Sequence, residues 1–154
     1  MLLNRQRRVR VAEAGLERFL ARACRAARVP PESVTVCLVT NSQISRWNRA
    51  YRHKPGFTDV LSFPANRNQR RPRTRAWKGG ITDGGGAGYS YLGDVAIAPA
   101  VARRNAVRFG RTFGDEMRIL ILHGMLHLMG YDHETDKGQM DRREQALRRE
   151  HGLA

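Results

Sequence analysis

Cysteine is nearly absent: Cys24 and Cys37 are the only two in 154 residues. One falls in an expected helix and the other in an expected strand. They read as core thiols of a reducing compartment, not as a disulfide or a metal site. Long apolar runs are missing too. The longest, around Ile119 to Met129, is broken by histidines and too short to span a bilayer. No charged-then-apolar leader opens the sequence, which argues against export. These absences point to a cytoplasmic chain with no membrane partner. Lysine is scarce, since 25 of the 28 basic residues are arginine. Acid is missing altogether between Val60 and Thr82.

The shortage of acid makes the charge lopsided. Net charge is +14. Residues 1–82 hold 18 Lys/Arg against 4 Asp/Glu, whereas residues 83–154 hold 10 of each. The whole excess therefore sits in the first half. Such a region attracts a polyanion through counterion release. Arginine usage set by genomic base composition explains the same numbers, so charge alone does not decide for nucleic acid.

A length of 154 residues suits a single domain with a real core, 1–154. Residues 2–11 fit an Arg-rich edge strand. Ala12 to Arg28 carries the stripe Ala12, Leu16, Phe19, Leu20, Ala23 and Ala27 of an amphipathic helix, which Pro30-Pro31 ends. Ser33 to Thr40 is an expected strand and Ser42 to Tyr51 a short helix, with Ile44, Trp47 and Tyr51 read as core contacts. Val60–Phe63 and Asp94–Ala98 are expected as short strands. Between them, residues 65–92 carry six Arg/Lys between Arg67 and Lys78, then six glycines between Gly79 and Gly88. That composition predicts a mobile insertion, either passive or an arm for phosphates. Pro99–Phe109 predicts a helix with proline at its start. Thr112 and Asp115 predict a capped start for a helix running to about Met129. That helix is apolar on nearly all sides, so it should lie buried at the centre. A polar helix, opened by Asp136 and Gln139, follows to about Arg149. The fold class is α+β, a sheet covered by helices around a buried central helix.

Three of the five histidines fall within eleven residues: His123, His127 and His133. His123 and His127 are four apart and share a helix face. Gly130 allows a left-handed exit that swings the third imidazole back toward them. Three neutral imidazoles facing one point make a divalent-metal site with an open fourth position, the form of a catalytic zinc site. The spacing is that of the long zinc-protease motif, but the glutamate that serves there as general base is missing. Gly124 stands in its place.

The run His123-Gly124-Met125-Leu126-His127-Leu128-Met129-Gly130-Tyr131-Asp132-His133 resembles the motif of the YbeY family of rRNA-maturation endoribonucleases. Asn48-Arg-Ala-Tyr51-Arg52, Thr58-Asp59-Val60-Leu61-Ser62-Phe63-Pro64 and Leu92-Gly93-Asp94-Val95-Ala96-Ile97 match as well, so the resemblance covers about residues 34–150. It implies a mixed four-stranded sheet. It also implies a single-strand-specific, zinc-dependent endoribonuclease of 16S rRNA 3′-end maturation and ribosome quality control. The implied partners are single-stranded RNA, or rRNA, and the ribosomal small subunit. The implied ligands of one Zn²⁺ are His123, His127 and His133, and the implied functional residue is Arg52. Two departures are visible. Phe57 stands where the family usually has proline, and the link from Pro64 to Gly93 is longer than usual. Both bear on the substrate groove and neither touches a ligand.

The chemistry expected is metal-assisted phosphodiester cleavage, with Arg52 stabilising charge at phosphorus. Attack by water and attack by the RNA's own 2′-hydroxyl both fit. The sequence offers no clear general base: Asp132 reads as orienting an imidazole, Glu116 as surface or cap, and Asp59, Asp94 and Ser62 as structural. A metalloprotease-like hydrolase and a non-catalytic rRNA-binding assembly factor with a structural metal are the alternatives.

Overall fold

The computed structural model describes residues 1–65 and 91–153. The expectation for the 65–92 insertion thus lies almost wholly outside the described residues. Four strands, β1 (Leu2–Asn4), β2 (Val34–Leu38), β3 (Val60–Pro64) and β4 (Gly93–Ile97), form one sheet in the order β1-β2-β4-β3. β1, β2 and β4 run parallel, and β3 pairs antiparallel with β4. The mixed four-stranded α+β fold is as expected.

Among the described residues five α-helices accompany the sheet: α1 (Glu13–Ala26), α2 (Asn41–Arg52), α3 (Pro99–Phe109), α4 (Phe113–Leu128) and α5 (Gln139–Glu150). Strand residues alternate between two faces. Val34, Val36, Leu38, Val95 and Ile97 join the core under α1, α4 and α5. Cys37, Leu61 and Ala96 point the other way and meet Ile44 and Trp47 of α2. Both faces are therefore covered, which explains why β2 and β4 are buried along their whole length. Burial pushes the Cys24 thiol up to about 11 and the Cys37 thiol up to about 12, as inert core thiols require. Tyr51 is not a core residue. It is 38% exposed, with its ring edge-on to Phe63 at 5.5 Å.

The expected edge strand over residues 2–11 shrinks to three residues. Gln6 ends it by bonding locally: its side chain accepts from the Val9 N–H at 2.9 Å and donates to the Val9 carbonyl at 2.9 Å. A side chain that satisfies nearby backbone competes with a ladder.

α4 is the axis of the structure. Thr112 Oγ1 accepts the Asp115 N–H at 3.1 Å, as the sequence suggests, while the Asp115 carboxylate pairs with Arg118. Gly124 sets its distance from the sheet. A Cβ built there would lie 2.5 Å from Val95 Cγ1, so only glycine allows this approach to β4. The Gly124 carbonyl in turn accepts from Ser62 Oγ at 3.1 Å, tying α4 to β3.

Candidate metal centre

α4 ends where the histidines need it to. Gly130 takes φ +97°, in the left-handed region that favours glycine. The Tyr131 N–H reaches back to the Leu126 carbonyl and the Gly130 N–H to that of His127, both at 3.0 Å. These two bonds form a Schellman turn. The chain then doubles back and brings His133 over the helix. The ligand-capable nitrogens of His123, His127 and His133 all lie within 4.8 Å of one another. The three rings stand 4.8 to 5.6 Å apart between centroids. α4 is not sealed on all sides as its composition suggests. His123 and His127 are half-buried on its open stripe, and His133 is exposed.

Each helical imidazole is held from behind. Nδ1 of His123 donates to Glu144 Oε2 at 3.2 Å, and Nδ1 of His127 donates to the Tyr131 carbonyl at 3.1 Å. Both partners only accept, so they assign the proton to Nδ1 and leave a lone pair on each Nε2. Those two Nε2 atoms face each other at 3.2 Å. Two lone pairs this close repel unless a cation lies between them. Tetrahedral zinc with Zn–N near 2.0–2.1 Å places its nitrogens about 3.3 Å apart, so the donor set fits such an ion. Burial, then the charges of His123 and His133, holds the His127 imidazole below its ordinary value. It therefore stays neutral, the form that ligates, to lower pH.

Glu144 is the residue that sequence reasoning missed. Burial opposes its ionisation, but the hydrogen bonds from His123 and Arg148 outweigh it and hold its carboxyl below the usual range. Arg148 Nη2 donates to Oε1 at 2.7 Å, so one carboxylate oxygen serves each neighbour. Such an outer carboxylate fixes the ring and raises its basicity. Asp132, read from sequence for that task, does another job. Its Oδ1 accepts the Glu134 N–H at 3.0 Å and stiffens the turn. Glu116 is not a surface or cap residue: it is 2% exposed and paired with Arg111 at 2.9 Å.

The other expected contributors divide. Arg52 ends α2, 45% exposed, and its Nη2 lies 3.8 Å from Glu134 Oε1. Glu134 follows His133, so α2 brings a guanidinium to the histidine loop. Asp59 accepts from Asn105 Nδ2 at 3.0 Å, and Asp94 accepts from the Tyr91 hydroxyl. Both are thus hydrogen-bonded within the fold, as is Ser62 to the Gly124 carbonyl. Among the described residues no helix is long and apolar enough to cross a membrane.

The family model described as Endoribonuclease YbeY matches residues 2–152. The endoribonuclease YbeY of Koribacter versatilis is 38% identical over 148 residues, 96% of this chain and 83% of that protein. That of Sulfurovum sp. is 37% identical over 120 residues, 78% of this chain and 73% of that protein. The solution structure of TM1509 from Thermotoga maritima shares the fold, with a TM-score of 0.55 at 24% identity over 96% of this chain and 86% of that one.

Proposed function

The chain belongs to the endoribonuclease YbeY family, and we propose that it cuts single-stranded RNA at a zinc centre held by His123, His127 and His133, with Arg52 beside it. One observation carries the reading most: the Nε2 atoms of His123 and His127 face each other at 3.2 Å while both Nδ1 atoms are engaged. The substrate proposed is the 3′ end of 16S rRNA during maturation and quality control of the small subunit, in the cytoplasm. The basic first half supports an RNA partner, and the 154 residues act as one domain with residues 65–92 as an insertion.

In this mechanism Glu144 and the Tyr131 carbonyl hold two imidazoles in the tautomer that presents Nε2. A Zn²⁺ held by His123, His127 and His133 would supply Lewis acidity toward a phosphate oxygen and toward water. The Arg52 guanidinium holds the non-bridging phosphate oxygens as charge grows on them. Its pairing with Glu134 is exposed and weak, about 0–1 kcal/mol, so a phosphate displaces it readily. The peptidase alternative loses its base on steric grounds. A glutamate at position 124 would have its Cβ in Val95, not facing the site.

Incubation with a single-stranded RNA, the matching duplex and a peptide, each with and without chelator, tests the reading. Cleavage of the single strand alone, abolished by chelator, is expected. Peptide hydrolysis, or RNA cleavage that survives metal removal, would contradict it.

A further inference from the structure

One cleft lies apart from the histidine cluster. It has a volume of about 720 Å³ and is lined by Arg8, Arg46, Arg49, Phe57, Asn41 and Ser45, among others, none of them acidic. Three cations without an acid in the lining favour an anion. Phe57 stands in the wall 58% exposed, an aromatic ring offered to solvent.

Phosphates and a flat ring are the parts of a nucleotide that such a lining suits. Arg46, Arg49 and Arg52 recur every three residues on α2, so they form one ridge of that helix. At a rise of 1.5 Å per residue, Arg46 and Arg52 are about 9 Å apart along the axis. A strand with one phosphate at Arg52 therefore reaches the cleft with a neighbouring nucleotide. Stacking on an aromatic ring flanked by arginines holds any base, because every base has a π-face.

We infer that the cleft is a nucleotide subsite for the RNA strand, in which a base stacks on Phe57, and Arg8, Arg46 and Arg49 hold the flanking phosphates. The inference rests on the RNA-cutting reading of the histidine centre. It assigns the subsite to binding and register, not to bond breaking.

The test compares the whole zinc-loaded chain with Phe57→Ala, Phe57→Tyr and Arg46→Ala/Arg49→Ala, using a labelled single-stranded oligoribonucleotide and a set in which one base at a time is removed. Loss of one stacked base weakens binding about five- to hundredfold. Phe57→Ala should raise KM by such a factor, more than it lowers kcat, and Phe57→Tyr should restore it. One abasic position should weaken wild-type binding and leave Phe57→Ala unaffected. The double arginine variant should flatten the salt dependence of binding. Equal KM for wild type and Phe57→Ala, with no such abasic position, would overturn the subsite while leaving the endonuclease reading intact. A wild-type chain that neither binds nor cuts the RNA would overturn that reading and the subsite with it.

Discussion

Glu144 and His123 are 21 residues apart in sequence and 3.2 Å apart in space, carboxylate oxygen to imidazole Nδ1. That bond fixes which nitrogen of His123 faces the other two histidines. It should therefore matter to metal binding although Glu144 is no ligand. Outer partners of this kind are worth about 10- to 100-fold in metal affinity. Competition with a calibrated chelator should show Glu144→Ala binding zinc more weakly by that order, and Glu144→Gln by less. Equal affinity in Glu144→Ala would show that packing alone orients the ring.

Gly124 and Val95 set how closely the histidine helix approaches the sheet. Gly124→Ala adds a methyl where Val95 leaves no room. Overpacking of this kind costs about 1–3 kcal/mol. Urea unfolding should show that loss, and Gly124→Ala/Val95→Ala should recover part of it. A Gly124→Ala chain as stable as wild type would mean that α4 shifts away without cost.

Arg52 should separate chemistry from folding. Its ion pair with Glu134 is exposed on both sides, so Arg52→Ala should change stability by less than about 0.5 kcal/mol. Metal content should stay the same and RNA cleavage should fall steeply. Wild-type cleavage by Arg52→Ala would reduce Arg52 to a surface residue.

Asp136 steadies the start of α5, the helix that carries Glu144. Its carboxylate accepts the N–H groups of Met140 and Gly138, each at 2.8 Å. These bonds, Met140 first, hold its carboxyl below the usual range. A folded-state pKa below the unfolded one, about 3.9, means that the unfolded chain takes up the proton first. The stabilisation is thus full above that pH and is lost as pH falls through the lower folded value. Melting temperatures of wild type and Asp136→Ala should differ most near neutrality and converge at strongly acid pH. A gap that widens on acidification would contradict the assignment.

Much of this site was legible in the chain because it is local. His123 and His127 share a helix face by spacing alone, and Gly130 announces the turn that returns His133. The strands and helices of the described residues follow from periodicity and from Pro and Gly punctuation to within a few residues, save for the first strand. What was not legible depends on distant packing. Glu144 lies on a helix that the sequence marks only as polar, and the docking of α5 onto α4 turns it toward His123. Glu116 reads as surface for the same reason until Arg111 folds over it. Gly124 shows that the protease base is missing, but Val95 gives the steric reason. The cleft beside Phe57 draws Arg8 from one end of the chain to α2, a meeting no local pattern records.

Zinc added back to the chelated chain, with RNA cleavage followed at each addition, tests the central claim most directly. Activity should rise linearly and level off at about one equivalent of metal per chain, and His127→Ala should stay inactive over the same range. Full activity in the chelated chain, or an equal response from His127→Ala, would contradict the assignment of the three histidines as the centre of an RNA-cutting enzyme.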